Sequence, residues 1–314
     1  MLRYQLLARS PALLRSFTGL DKTEFDSLYS NVESRHSKFE RERLSRDDRE
    51  RAIGAGRPFT LSLRDRLLML LVYYRLYVST TLVEFLFEID QTNVCRNIRI
   101  LEPLVRQCIP LPEKVYERAK RASTPEEVEE YFPGFKAFID ATEQEIPRPK
   151  RKAKRVSHYS GKKKRHTVKT QLTVNSKGAI VHKAKHARGR RNDYAIFKRN
   201  HPELPEGVRP GVDLGYNGIQ NDFPEMKPMV PFKKKSPGRG HRGMKAKPLT
   251  PYQKRFNRDL SKARVVVEHT ISRMKKFRIM GEEFRNRLKH YDLMTDIISG
   301  LVNLRIMGTR ASGL

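Results

Sequence analysis

The chain has 314 residues, 65 Lys and Arg against 35 Asp and Glu, a net charge of +30 and 38% hydrophobic content. That length can build one or two packed domains, and that charge calls for a polyanionic neighbour, either nucleic acid or an anionic membrane surface. The longest apolar run, Leu67 to Tyr74, is far short of the ~20 residues that span a bilayer. A transmembrane protein is therefore excluded. Arg9, Pro11 and Arg15 interrupt the N-terminus before the apolar core of a secretory signal can form. Cys95 and Cys108 lack any C-x-x-C pattern and read as reduced packing residues of a cytosolic protein.

In chain order, Asp21-Lys-Thr-Glu24 is a capping box with Leu20 and Phe25 placed as a hydrophobic staple, which predicts a helix from about residue 22. Ser34 to Gly56 is rich in Arg, Glu and Asp and reads as a solvated loop or frayed helix. Leu61 to Tyr77 is apolar at helical length, and Ser79 to Ile89 repeats the pattern with Leu82, Phe85, Leu86 and Ile89 spaced three or four apart. Asp90 caps a third helix, Gln91 to about Gln107, whose inner face carries Val94, Ile98, Leu101 and Val105. Prolines 103, 110 and 112 end this helical part. Thr124-Pro125-Glu126-Glu127 opens a short helix before a new domain.

That domain starts with Phe135 to Asp140, an apolar run of strand length ending in a carboxylate. Val168, Thr170, Leu172 and Val174 alternate with polar residues, and Asn175 to Gly178 separates them from Ala179 to His182, which predicts a β-hairpin. A helix follows from Asp193 to Arg199, then a strand containing Val212-Asp213-Leu214. Thr250-Pro251-Tyr252-Gln253 opens a helix to about Lys276, and a last amphipathic helix carries Leu293, Ile297, Leu301 and Leu304. The second half is thus α/β, without an internal repeat.

Between Ile146 and Asn192 there is no acidic residue, whereas Arg148, Lys150, Arg151, Lys152, Lys154, Arg155, Lys162, Lys163, Lys164 and Arg165 crowd the first half of that window. A second acid-free window, Met226 to Arg258, holds Lys233, Lys234, Lys235, Arg239, Arg242, Lys245 and Lys247. One such run is an ordinary solvated surface; two runs between the strands of one domain favour a phosphate-binding cleft. Leu82 to Gln107 has helix-turn-helix proportions, and the face opposite the apolar one shows Gln91, Thr92, Asn93, Arg96, Asn97 and Arg99. Such side chains suit a major groove, since Asn and Gln pair with adenine and Arg with guanine. A helical bundle with a polar outer face is the plainer alternative.

Asp140 ends one predicted strand, Asp213 sits in another, and Glu268 lies in the capped helix. Carboxylates with open positions are what Mg²⁺ needs, and two ions could serve an in-line phosphoryl displacement. His182 and His186 fall on a strand and loop where their spacing does not align them, so they read as basic hairpin residues. Gly54-Ala-Gly56 and Gly238-Arg-Gly240 lack a following Lys-Ser/Thr pair, so no P-loop and no ATP requirement are indicated.

Four segments resemble, in order, the blocks of the DDE transposases of bacterial insertion sequences, in particular the insertion sequence group five type related to Harbinger elements. They are Phe138 to Glu143, Tyr159 to Thr170, Val212 to Gly218 and Arg264 to Lys275. The likeness covers roughly residues 60 to 307. It implies a ribonuclease-H-like mixed sheet flanked by helices, behind an all-α helix-turn-helix region at about 61–107. It also implies the acid triad Asp140, Asp213 and Glu268 as catalytic and metal-binding residues, with two Mg²⁺ ions for which Mn²⁺ substitutes. Arg264 and Lys275 match basic positions that contact DNA, beside the DNA-binding candidates Gln91, Thr92, Asn93, Arg96, Asn97, Lys163 and Lys164. One departure is Ser261, which stands where the family has a tyrosine.

The expected architecture is a DNA-binding region over 1–120 and an endonuclease over 121–314. The expected partners are double-stranded DNA, as the terminal inverted repeats and the target, and a second copy of the chain in a synaptic complex. The expected location is the bacterial cytoplasm, at the nucleoid. Two rival readings stay open: a domesticated, non-cleaving DNA-binding regulator and a structural RNA-binding protein.

Overall fold

A computed structural model describes residues 1–45, 52–53, 55–56, 58–234 and 248–308. Gly54, Lys235 and the basic residues Arg239, Arg242, Lys245 and Lys247, with the Gly238-Arg-Gly240 stretch, lie outside the described residues. The chain forms two compact units, 1–114 with 273–314, and 115–272.

The first unit opens with α1 (Tyr4–Leu7), α2 (Pro11–Thr18) and α3 (Lys22–Leu44). Asp21 Oδ1 accepts from the Glu24 amide at 2.9 Å while Glu24 Oε2 accepts from the Asp21 amide at 2.8 Å, and Leu20 and Phe25 are fully buried. Of the two readings of the stretch from Ser34, a solvated loop or a frayed helix, the helical one holds as far as Leu44, where α3 ends. Its charged residues are straight-chain helix formers that pair along the helix, Arg43 with Glu40 at 2.6 Å and Lys38 with Glu42 at 3.9 Å. Next comes α4 (Leu63–Leu76), capped by Ser62 and buried without a break from Arg66 to Tyr74. A helix sheathed on all sides is the centre of its unit.

Two helices pack beside it, α5 (Thr80–Phe87) and α6 (Gln91–Gln107), capped by Ser79 and Asp90. The inner face of α6 is as expected, with Val94, Ile98, Leu101 and Val105 buried. Of the stripe expected on α5 only Ile89, just past its end, is buried: Phe85 is 77% and Leu82 43% exposed, and Val83 and Phe87 are the buried pair within the helix. In a short helix that is apolar nearly all round, spacing offers two stripes and cannot choose between them.

Then α7 (Pro112–Arg121) leads into the second unit, where Thr124 closes a capping box on α8 (Pro125–Tyr131). The sheet and its flanking helices follow: β1 (Lys136–Glu145), α9 (Lys152–His158), β2 (Tyr159–Ser160), β3 (Arg165–Asn175), β4 (Ile180–Lys183), β5 (Ala187–Arg188), α10 (Asp193–Asn200), β6 (Arg209–Gly211), α11 (Ile219–Asp222) and α12 (Pro251–Lys275). Six strands form one mixed sheet along β2-β3-β1-β6, with β4 and β5 also paired to β3. β1 is antiparallel to β3, with Asp140 opposite Leu172 and Glu143 opposite Lys169, and parallel to β6, with Phe138 opposite Gly211.

Two expected boundaries move. β1 continues to Glu145, so Asp140 lies mid-strand, and β6 stops at Gly211, so Asp213 lies beyond its strand and caps the turn Leu214–Tyr216 through a 2.8 Å bond from the Gly215 amide. From Thr167 onward β3 is buried on both faces. Its polar alternate residues therefore point into the protein, and the sequence pattern of a half-exposed strand is misleading.

The last helices, α13 (Arg278–Gly281) and α14 (Tyr291–Met307), belong to the first unit, whereas the sequence placed all of 121–314 in one domain. Ile297, Leu301 and Leu304 of α14 are buried as expected. Gly300 lets the helix approach closely, since a Cβ there would lie 2.5 Å from Ile109 Cδ1, and Asn303 Nδ2 donates to the Pro110 carbonyl at 3.1 Å. Among the described residues no helix is long and apolar enough to cross a membrane.

Candidate active site and nucleic-acid interface

The parallel pairing of β1 and β6 brings Asp140, from mid-β1, and Asp213, just past β6, into each other's electrostatic field. The Ala141 amide donates to Asp140 Oδ1 at 2.8 Å, and Arg264 Nη2 of α12 stands 3.6 Å from Oδ2. Burial raises the Asp140 carboxyl above its ordinary range. The Ala141 amide and Arg264 oppose that, while Asp213 and Asp193 add to it. A half-buried acid with two acidic neighbours and one guanidinium is an electrostatically strained centre, the kind of environment found at functional sites.

Beneath it lies the polar face of β3. Lys169 Nζ sits 2.8 Å from Asp193 Oδ1 and 3.3 Å from Glu143 Oε1. Burial pulls the Lys169 ammonium down, but the two carboxylates outweigh it and hold it above its usual value. Gln171 Nε2 donates to the Tyr216 hydroxyl at 2.8 Å and to the Asp193 carbonyl at 3.0 Å, and Thr167 Oγ1 donates to Glu143 at 3.0 Å. Tyr216 packs with Ile139, Phe197, Val212 and Ile219 in one buried cluster. Burial lifts its phenol far above the ordinary value, with Asp193, Asp140 and Asp213 adding to the effect.

Lys169, Asp193 and Tyr216 were not among the sequence candidates. The available signals were a lysine inside a strand-like alternation and, in Asp193, the first carboxylate after the acid-free window.

Glu268 behaves differently. It is exposed on α12, one turn beyond Arg264. Among the described residues no group of three or more His, Cys, Asp or Glu side chains is placed to hold a metal ion, and the acids that act on one another at this site are Asp140, Asp213 and Asp193. Asp140 and Asp213 are oxygen donors only, which is the chemistry hard divalent cations take, and Arg264 already shows that a positive group fits against Asp140. Lys163 and Lys164 are exposed in the turn between β2 and β3, and Lys275 is exposed at the end of α12.

In the first unit Gln91, Thr92, Asn93, Arg96 and Arg99 line the open side of α6. Gln91 Nε2 donates to Thr80 Oγ1 at 2.7 Å, tying the start of α6 to the start of α5, and Arg96 Nη1 donates to Asn93 Oδ1 at 3.0 Å. Asn97 is a correction. It is only 4% exposed, accepts from buried Arg66 Nε at 2.6 Å and donates to the Asn93 carbonyl at 2.8 Å, so its amide is committed to the interior and not to a base. The guanidinium of Arg66 also lies 3.6 Å from the ring centre of Phe59.

Residues 139–303 match the DDE superfamily endonuclease family, and residues 59–111 match the helix-turn-helix of DDE superfamily endonuclease. A probable transposase for insertion sequence element IS702 from Microchaete diplosiphon is 30% identical over 253 residues, which is 80% of this chain and 83% of that protein. No solved structure matches the chain. The chain belongs to the DDE superfamily endonucleases, of the insertion-sequence transposase type: a DNA-binding helix-turn-helix followed by a DDE endonuclease domain.

Proposed function

We propose that the protein binds the terminal inverted repeats of its own element, hydrolyses a phosphodiester at each end and joins the freed 3′-hydroxyl to target DNA. The observation that carries this is the electrostatic proximity of Asp140, in β1, and Asp213, two residues past the parallel neighbour β6, with Arg264 against Asp140. A ribonuclease-H-like arrangement is supported by the order β4-β3-β1-β6, with β1 antiparallel to β3 and parallel to β6. On this reading the helix-turn-helix in the first unit selects DNA and the mixed-sheet unit, 115–272, cuts it.

Asp140 and Asp213 would hold the divalent ions, Mg²⁺ or Mn²⁺, and Glu268, one helical turn from Arg264, would supply the third carboxylate. Bound there, such ions supply neutralisation of the charge that builds on the phosphoryl oxygens. The residues of the chain do the rest. Ala141 fixes the orientation of Asp140, Arg264 balances its charge and faces incoming phosphate, and Lys169 locks Asp193 and Glu143 behind the site.

In the helix-turn-helix, Gln91, Thr92, Asn93 and Arg96 would read base edges, while Lys163, Lys164 and Lys275 would take phosphates. An element has two ends, so a homodimer would form on the paired repeats, at the nucleoid in a bacterial cytoplasm. The exposed Glu268 favours one rival, a non-cleaving regulator. A supercoiled plasmid carrying a segment bracketed by the element's ends decides between them. Strand breaks mapped to the repeat termini, and joined products, are expected with Mg²⁺ and not with chelator. Cleavage undiminished in chelator, or binding without any cleavage in Mg²⁺ or Mn²⁺, would overturn the proposal.

A further inference from the structure

A second groove lies in the same unit, at the far end of β1. Its walls are Arg148, Arg155, Val156, Tyr159, His166 and Arg190. The Ile146 amide bonds the His166 carbonyl at 2.9 Å, which puts the groove about 20 Å along β1 from Asp140 at ~3.3 Å per residue. The groove is separate from the acidic centre.

Three features of it call for an explanation. First, it is strongly cationic: Arg148 and Arg190 are exposed, Arg155 is half-buried, and none of the three has a carboxylate partner among the described residues. Second, apolar and aromatic surface stands open amid those charges, with Val156 49% and Tyr159 42% exposed. The Tyr159 ring meets the His166 ring edge to face, with centroids 5.7 Å apart at 72°, so its plane is held. Third, the groove is built into the fold. Gly189 fits so closely that a Cβ there would lie 2.0 Å from Thr167 Oγ1 and 2.7 Å from the His158 carbonyl, and this contact, with the Arg190 amide bonding the Ser157 carbonyl at 3.3 Å, carries Arg190 to the α9 side of the groove.

A solvated charge run needs no open tyrosine, and an apolar docking surface would not be ringed by unpaired arginines. Guanidinium groups around a fixed aromatic face fit a ligand that is anionic on one side and a flat ring on the other. A nucleotide of a DNA strand has that chemistry, provided its base is free of the stack, and a volume of about 750 Å³ accommodates it. We propose that this groove captures one unpaired or flipped-out nucleotide, its base stacked on Tyr159 beside Val156 and its flanking phosphates held by Arg148, Arg155 and Arg190. Duplex DNA engaged near Asp140 would thereby be opened or strained some 20 Å away, about six base-pair steps. The proposal rests on DNA being the partner of this domain.

The test compares binding by the full chain of a fully paired duplex and of the same duplex with one looped-out nucleotide, for wild type, Tyr159→Ala, Tyr159→Phe and Arg155→Gln. Wild type is expected to prefer the looped-out duplex. Tyr159→Ala should lose roughly 5- to 150-fold of that preference, the range for one base stacked on an aromatic ring, with little change on paired DNA. Tyr159→Phe should keep it. Arg155→Gln should weaken binding to both duplexes and lower the dependence of affinity on salt. A wild type with no preference, or a Tyr159→Ala variant with the wild-type preference, overturns the groove while leaving the DNA reading intact. Failure of wild type to bind any duplex at low salt overturns the DNA reading itself.

Discussion

His182 shows how far a single residue's surroundings can depart from its sequence appearance. As a histidine in a lysine-rich hairpin it read as one more basic group. In the fold its ring lies 5.1 Å from that of Tyr116, and burial, with help from Lys183 and His201, holds its pKa down to about 4. The unfolded chain takes up this proton near the ordinary value of ~6.5, while the folded chain does not until about pH 4. Stability from this group is therefore complete above ~6.5 and is lost as pH falls through that window, by up to roughly 3 kcal/mol at ~1.36 kcal/mol per unit. His36, His158 and His290 are shifted the same way, so His182→Phe should flatten the acid loss in part. Urea midpoints between pH 7 and 4 for both proteins measure it, and equal slopes would contradict the assignment.

Among the elements, those with chemically defined ends were the legible ones. The caps at Asp21, Asp90, Thr124 and Thr250 start helices where the sequence places them, because each cap satisfies amides by a local rule. Choices settled by tertiary packing were not legible. Spacing could not say which stripe of α5 is inside, nor that β3 is covered on both faces, so the alternation did not mark Lys169 and Gln171 as buried. Asp140 and Asp213 stood out as carboxylates at the end of or within apolar runs, although the strand ends themselves moved, whereas Asp193 depends on how α10 meets β3. On α6 the outer polar row was read as uniform, although Asn97 holds a buried arginine while Arg96 is exposed and bonded to its exposed neighbour Asn93. The two should separate on mutation. Asn97→Ala leaves Arg66 without its acceptor and should lower unfolding stability by about 1–3 kcal/mol. Arg96→Ala should leave stability unchanged and cost ~1–3 kcal/mol of discrimination between the inverted repeat and random DNA. Denaturation and binding isotherms on both variants check this, and an Arg96→Ala variant that binds every duplex equally weakly would reduce α6 to a basic surface.

For the whole molecule, a charge of +30 supplies attraction to any nucleic acid, and on the proposed function the small acidic centre around Asp140 would supply the chemistry. The two reside in different residues, and that separation is the central claim. Burial raises the Asp140 carboxyl, so ionisation is less favourable in the folded chain than in the unfolded one. Replacing it with the neutral isostere should therefore leave the fold at least as stable at neutral pH. The most direct measurement sets wild type and Asp140→Asn side by side, recording affinity for the inverted-repeat duplex and cleavage of the plasmid bearing the element's ends in Mg²⁺. Binding should stay within about twofold, while cleavage falls by at least about a hundredfold, as loss of several kcal/mol of transition-state stabilisation requires. Nicking by the Asn variant at the wild-type rate would contradict the account.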